Sequence, residues 1–522
     1  MKIKSLLTHT ASFLLVLALF VSCDDDDNGP TGTENNAPPS VTAPGSQTVE
    51  IGQSVELSFG VTADGGYSSS EVSATNGDAS ISSEPETGAT SGDVVVDFTA
   101  NTAGAGSVEL TVTDGNGNSE EATAVLTLVE EQKTFTITDN ITTDTTWETG
   151  KIYILAGRIA VESGATLTIE GGAVVKGEAG TGANSTALLV ARGGTLNANG
   201  TADAPIIFTS VADEITPEMV ANGNFQSPNL DPDVQGLWGG VLILGNAPIS
   251  ASEEPASIEG IPSTDENGLY GGDDPADNSG SITYISIRHG GTNIGEGNEI
   301  NGLSMGGVGT GTTIENVEIV ANQDDGLEWF GGTVNVSNVL VWNNGDDALD
   351  TDQAWDGTIS NAVLVNPAGS GLELDGPEGS DTSQDGHLMQ NITVYKGQPG
   401  ELIDVDDNTD VNISDVLFFG LPVNTDGSAA SSFSSDYPDY AAQSGFAITN
   451  LEAVLPSTYT DADGNEQQAN LSLSDYFPQS LIDNNEVTEV SDLGSATVGA
   501  DVSVFGWTWA SQSGALSQLG LE

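Results

Sequence analysis

Asp324-Asp325-Gly326-Leu327-Glu328 and Asp346-Asp347-Ala348-Leu349-Asp350 carry acids at matching places 22 residues apart. Gly371-Leu372-Glu373-Leu374-Asp375 extends the series, Asp352 joins the column, and Asp404, Asp406 and Asp407 follow in a later segment. Stacked as neighbouring strands, such segments lie ~4.8 Å apart. Carboxylates that close raise one another's pKa or recruit cations. A hard cation that accepts several oxygens in flexible geometry suits them, so calcium is the expected ion. Its expected ligands are drawn from Asp324, Asp325, Glu328, Asp346, Asp347, Asp350 and Asp352. The alternative is a solvated acidic corner with mobile counterions. Zinc is not indicated: Cys23 is the one cysteine, and after residue 22 the histidines are His289 and His387.

A second column is aromatic. Side chains alternate across a strand, which turns Val317 and Ile319, Val339 and Val341, and Ile392 and Val394 inward. Trp342, Tyr395 and Phe419 then fall on the outward side, as a track on which sugar rings can stack. A C-terminal segment lying over the column is the alternative. Paired carboxylates also serve glycoside hydrolysis, and a calcium-assisted lyase needs a basic side chain beside the sugar carboxylate. On that footing Asp346, Asp347, Arg288 and Lys396 are the catalytic candidates, with an ion pair to a neighbouring acid as the structural role for Arg288.

A repeat aligns these residues. Ile314-Glu315-Asn316-Val317 returns as Val336-Ser337-Asn338-Val339, Ile359-Ser360-Asn361-Ala362, Met389-Gln390-Asn391-Ile392 and Ile413-Ser414-Asp415-Val416. The Asn/Asp positions step by 22, 23, 30 and 24 residues. A period in that range means a solenoid, whose units bury their apolar faces only by stacking. Short β runs ended by Asn and Gly, with no helical period between them, specify a parallel β-helix. Asn at each corner tolerates a turn conformation and can bond the equivalent amide in the next coil.

The regions around the repeat differ in kind. Lys2 and Lys4, the apolar run Leu6 to Phe20 and Val21-Ser22-Cys23 read as a secretory signal, too short to span a bilayer. Residues 23–40 form an acidic tether and linker, Asp24 to Asp27 followed by a stretch rich in Pro, Gly and Thr. Residues 41–132 alternate apolar and polar residues between turns, as in Val108-Glu109-Leu110-Thr111-Val112, which predicts a β-sandwich spacer. Residues 133–420 are the expected β-helix, and 421–522, where the period is lost, are the expected cap, covering the last coil and packing along the solenoid. The formal charge of −68 moves to about −70 without residues 1–22, leaving seven Lys and Arg. That surface excludes nucleic acid as a partner and must be met by solution cations or bound metal; a marine or halophilic surface would show the same excess.

The Cys23 region resembles a lipoprotein signal, in which the cysteine is lipidated, and the acids after it resemble the surface-export signal of Bacteroidetes lipoproteins. Gly194-Thr195-Leu196-Asn197-Ala198-Asn199-Gly200-Thr201, Trp238-Gly239-Gly240-Val241-Leu242-Ile243-Leu244-Gly245 and Phe330-Gly331-Gly332-Thr333-Val334-Asn335 resemble a family of right-handed parallel β-helix, pectin-lyase-like surface lipoproteins of Bacteroidetes. The resemblance implies an all-β chain in which an Ig-like or cadherin-like sandwich precedes the β-helix and an irregular C-terminal region caps it. It also implies lipid anchoring in the outer membrane, facing outward. That superfamily includes lyases, hydrolases and non-catalytic binders, so the fold is compatible with several functions. Asp346-Asp347 resembles the paired Asp of polygalacturonases, and Gly386-His387 half of their Gly-His-Gly. Leu388 stands third, however, and no Arg-x-Lys follows. The leading expectation is a binder of extracellular polysaccharide assisted by calcium. A polysaccharide lyase or glycoside hydrolase, and a protein accessory of an outer-membrane transporter, are the alternatives.

Overall fold

The computed structural model describes residues 37–292, 300–377, 386–406, 409–441, 443 and 445–522. The signal segment, Cys23, the acidic tether and Asp407 lie outside the described residues. The chain divides between Gln132 and Lys133 into two compact units.

The first unit is a β-sandwich. Ser40–Thr42, Ser54–Thr62, Ser91–Ala100 and Gly77–Ser83 form one antiparallel sheet; Gln47–Glu50, Ser119–Val129, Gly104–Asp114 and Tyr67–Thr75 form a second, mixed sheet in which Gln47–Glu50 pairs in parallel with Ser119–Val129. Alternation along each strand turns Leu57, Phe59, Val96, Phe98, Val108 and Leu110 into a shared core with no exposed surface.

The second unit is a parallel β-helix. Its long sheet includes Thr313–Val320, Val336–Trp342, Thr358–Val365, His387–Tyr395 and Val411–Phe419, each paired in parallel with the next. Each strand bends at its corner residue. Asn316, Asn338, Asn361, Asn391 and Asp415 hold φ between 57° and 62°, the left-handed region that costs most L-residues about 1–2 kcal/mol and that Asn enters most readily. The amides also bond along the stack: Asn338 Nδ2 donates to Asn316 Oδ1 at 3.1 Å and Asn361 Nδ2 to Asn338 Oδ1 at 2.7 Å. A seven-stranded parallel sheet forms another wall and contains Leu303–Gly306, Leu327–Gly332, Leu349–Trp355 and Leu372–Leu374. Like residues stack in the lumen. Trp329 lies on Trp355 with ring centroids 4.5 Å apart, and Trp355 on His387 at 5.0 Å.

The stack does not stop at residue 420. Ala447–Ala453 pairs with Val411–Phe419, and Val487–Glu489 pairs with Ala447–Ala453, so two more coils belong to the solenoid. Ile448, Leu451 and Ala453 keep the inward alternation, but the step from Asp415 to Asn450 is 35 residues. The connections between these strands are irregular, and their Tyr437, Phe446, Phe477 and Leu481 join the lumen core beside the last coils, while the tail beyond Val490 runs back along the outside of the coils. Thr497 N donates to Glu452 Oε2 at 2.7 Å, Ala500 N to Thr393 Oγ1 at 2.8 Å, Asp501 N to Asn361 Oδ1 at 2.6 Å and Ala510 N to Glu318 Oε1 at 3.0 Å. Each contact lies in an earlier coil than the one before.

Candidate functional site

The acids meet on the outward face of the seven-stranded sheet. Register places Ser304, Glu328, Asp350 and Glu373 side by side on successive strands, and Asp352 beside Phe330. These positions alternate with Leu327, Leu349 and Leu372, whose fully buried side chains fill the lumen. The fold therefore fixes the carboxyls outward: a one-residue slip would exchange Leu for acid in the core.

A second row sits in the turns just before these strands. Asp325 Oδ1 accepts the backbone N–H of Asp347 at 2.9 Å, and Asp347 Oδ1 accepts that of Ser370 in the coil beyond. Asn322 and Asn344 close the same turns, donating to the carbonyls of Asp325 and Asp347 at 2.8 and 2.6 Å. Asp325 and Asp347 thus both hold a turn and both reach the acid row, Asp325 beside Glu328 and Asp350 and Asp347 through a hydrogen bond with Glu373.

Carboxylate oxygens of Asp325, Glu328 and Asp350 all lie within 4.8 Å of one another, as do those of Asp324, Asp325 and Asp346. Glu328 and Asp325 are 5% and 7% exposed, Asp350 is half-buried and Asp346 is exposed. Burial, then the charges of Asp350, Asp324 and Asp347, holds the Asp325 carboxyl well above the usual range. Burial likewise raises Glu328, helped by Asp325 and Glu259, and raises Asp350, helped by Glu328 and Glu373. Glu373 is pushed up to about 10, first by its hydrogen bond with Asp347 and then by burial. Glu401 rises to about 7 through burial and the charge of Asp404. Asp350 Oδ1 is buried and meets no hydrogen-bond donor among the described residues.

All seven expected ligands therefore lie in one neighbourhood, with Asp352 contributing its charge to Glu328 and Asp350. The expected set omitted Glu373, Asn301 and Glu259. Glu373 continues the acid row in register and was legible from its phrase. Asn301, whose Nδ2 donates to Glu328 Oε2, belongs to the coil before the first acidic phrase. Glu259 comes from the long excursion between Leu244 and Gly280, which carries no repeat.

The aromatic track is closed. Trp342 is 8% exposed because Trp509 of the tail packs edge-on against it, with ring centroids 5.8 Å apart. Leu340, Val363 and Val365 on the same outward face pack with Phe505, Ala510 and Leu516. Phe419 is 6% exposed and lies against half-buried Tyr395 at 5.2 Å. These three residues form no open platform, since the tail supplies the apolar surface that a sugar would have needed to supply.

The two cationic catalytic candidates are also structural. Arg288 is 1% exposed beneath the Trp509 ring, 4.9 Å from its centroid. Its Nε donates to Ser286 Oγ at 2.7 Å and its guanidinium lies 3.6 Å from Glu318, so it sits in an ion pair under the tail and reaches no groove. Lys396 is fully buried, its Nζ donating to the carbonyls of Gly369 at 2.7 Å, Pro367 at 3.1 Å and Pro399 at 3.3 Å. Burial lowers its pKa to about 8 against the opposing charge of Asp347. Of the Asp346–Asp347 pair, Asp347 is buried and bonded within the turn and Asp346 points to solvent, so the two do not face one substrate.

Comparisons bear on the fold. No curated protein matches the sequence. Among solved structures the chain is similar to the catalytic unit of a thermostable GH87 α-1,3-glucanase from Streptomyces thermodiastaticus (12% identity, TM-score 0.26, 76% of this chain and 78% of that one). It is also similar to a family 28 exopolygalacturonase from Yersinia enterocolitica (11% identity, TM-score 0.19, 80% and 87%). A mutant SrpA adhesin from Streptococcus sanguinis matches 18% of this chain at 21% identity and a TM-score of 0.16, over 58% of the adhesin chain. The model of the pectate-lyase-like β-helix domain matches residues 139–401, about half of the sequence and most of the coils described above. By its repeat, its stacked parallel sheets and this match, the chain belongs to the pectate-lyase-like β-helix family.

Proposed function

We propose that this chain is a lipid-anchored surface protein of the Bacteroidetes outer membrane, held through Cys23, whose β-helix binds an extracellular glycan with calcium in its acidic column. The observation that carries the calcium site is the convergence of Asp325, Glu328 and Asp350 within 4.8 Å, two of them buried and the third with an orphaned oxygen. Three carboxyls at that spacing fold only if protons or a cation offset their repulsion. The donors are all oxygens and come from two coils, a set that suits calcium better than a softer ion. Asp324 and Asp346 flank the cluster and add negative charge at its open side. A bound divalent ion there would present open positions toward solvent for sugar hydroxyl or carboxylate oxygens.

Isothermal titration of calcium into chelator-treated protein tests the site. Saturable binding is expected, weakened at least tenfold by Glu328→Gln or Asp350→Asn; no heat at millimolar calcium would remove the ion from the proposal. Native electrophoresis through gels holding neutral or uronate polysaccharides tests the ligand. Retardation lost with chelator supports the proposal, and clearing of the embedded polymer would favour an enzyme instead.

A second reading, an accessory of an outer-membrane transporter that engages protein rather than glycan, is favoured by one observation. The tail buries the aromatic face that would have been the broadest sugar platform.

A further inference from the structure

The long sheet carries a polar row ahead of its corner residues. Thr283, Glu315, Ser337, Ser360, Gln390 and Ser414 stand side by side in register on successive strands. Ile314, Val336 and Ile359, the residues before three of them, belong to the lumen core, so alternation fixes the row outward. Thr313, Asn335 and Thr358 lie alongside, two residues earlier in the same coils, with Thr358 N donating to Asn335 Oδ1 at 2.9 Å. Where the two rows meet they line a groove of about 400 Å³, within the range of small-ligand sites. We propose that this groove binds an extended chain of neutral sugars running across the coils, an inference that rests on the glycan reading above and gives the sugar a place other than the acidic column.

The groups that would meet the ligand are open to it. Thr313, Glu315 and Asn335 are exposed, and Ser337, Thr358 and Ser360 are half-buried. Short Ser337 and Ser360 form the floor beside the longer Glu315. The backbone beneath them is held by parallel pairing on both sides, and side chains this short give up little rotamer freedom on binding.

The lining indicates the ligand class. Stacked strands repeat every ~4.8 Å, a step close to the length of one sugar residue in an extended chain. A chain lying across the coils therefore meets an equivalent pair of polar groups at each of its residues. Hydroxyls and amides both donate and accept, as sugar hydroxyls require. Glu315 is the one charged side chain of the lining and no Lys or Arg stands there, so uronates, sulfated sugars and phosphates find repulsion and no counter-charge. No aromatic ring lines the groove either. Affinity then has to accumulate over several sugar residues instead of coming from one stacked ring.

The test is calorimetric titration of the full chain with neutral gluco- and manno-oligosaccharides from disaccharide to hexasaccharide, in calcium and in chelator, alongside Ser337→Ile and Ser360→Ile. Each substitution removes a hydroxyl and fills the groove with a residue that strands accept, and an unchanged melting temperature verifies the fold. The expected result is that one series binds at least tenfold more tightly as hexasaccharide than as disaccharide, loses at least tenfold with either variant, and keeps its affinity in chelator. If one variant disturbs the fold, the other decides; if both do, the length series and the chelator arm decide. Binding that chelator abolishes and the groove variants leave intact overturns the groove and leaves the glycan reading at the acidic column standing. Affinity independent of chain length overturns the groove as well. Self-association of the chain in sedimentation, abolished by Ser337→Ile, would assign the face to a second copy and overturn the sugar. No binding of any oligosaccharide by the unaltered chain overturns the groove, and the gels with embedded polysaccharide then decide the glycan reading by themselves.

Discussion

Glu373→Gln, measured in chelator, should stabilise the protein, and its advantage should grow with pH. The Glu373 carboxyl is held near 10 by its bond with Asp347 and by burial, against about 4.5 in the unfolded chain. A group raised in this way contributes stability that is fully present below about pH 4.5 and is lost as pH rises toward 10. At pH 7 the folded state must keep a proton that the unfolded state has released, which costs about 3 kcal/mol at 1.36 kcal/mol per pH unit. Any folded value above about 8 gives the same figure at pH 7, so the prediction does not depend on the height of the shift. Glutamine needs no proton, and its amide can donate to Asp347 in place of the carboxylic O–H. Urea unfolding at pH 5, 6, 7 and 8 should show a gap between variant and parent near 1 kcal/mol at pH 5, widening by about 1.4 kcal/mol per unit. Using per-residue unfolding entropies, the gap at pH 7 corresponds to a melting shift of about 4 °C. A gap that is constant with pH would refute the reasoning, because it would mean that Glu373 is ionised in the fold. Calcium added to the parent should close part of the gap by substituting for the proton.

Three further outcomes follow from the same geometry. His387 is buried against Trp355, and burial depresses its pKa to about 3; its stability contribution is present above pH 6.5 and lost as pH falls toward 3, so His387→Phe should gain on the parent by about 3 kcal/mol at pH 4.5 in acid unfolding. Trp509→Ala removes the cover from Arg288 and Trp342 and should cost about 3–5 kcal/mol, with limited proteolysis cutting in the tail while the circular dichroism of the coils is retained. Asn338→Ala should cost about 2–3 kcal/mol in denaturant unfolding, from the left-handed backbone and the two ladder bonds, and Asn338→Gly should recover the backbone share.

What the sequence reveals depends on what repeats. Asn316, Asn338 and Asn361 are legible because each coil needs a residue that accepts positive φ at the same corner, and few side chains meet that demand. The acid row is legible for the same reason: Glu328, Asp350 and Glu373 keep the spacing of the strands that carry them. Legibility fails where contact is made outside the period. Trp509 meets Trp342 across a span of sequence in which the tail has no repeat, so the sequence admits a C-terminal segment over this outward face, and the three-dimensional structure shows which residues fill it. The coils at Ala447–Ala453 and Val487–Glu489 were hidden because long connections separate strands whose inward residues are otherwise regular.

The two outward faces of the solenoid meet opposite physical demands. On the long sheet, Val320, Leu340, Trp342 and Val365 are apolar, and leaving them in water would be unfavourable at roughly 25 cal/mol per Å²; the tail covers them and contributes Glu318–Ala510 and Asn361–Asp501 bonds along its path. On the seven-stranded sheet, Glu328, Asp350 and Glu373 repel one another, and no described segment supplies a cationic side chain to their carboxyls. An apolar face can be satisfied from within the chain, as the tail does. A row of buried carboxyls in a chain with so few cations has to be satisfied from solution, by protons or by a metal ion. That difference makes the acidic face, and not the aromatic one, the place where this β-helix depends on something other than itself.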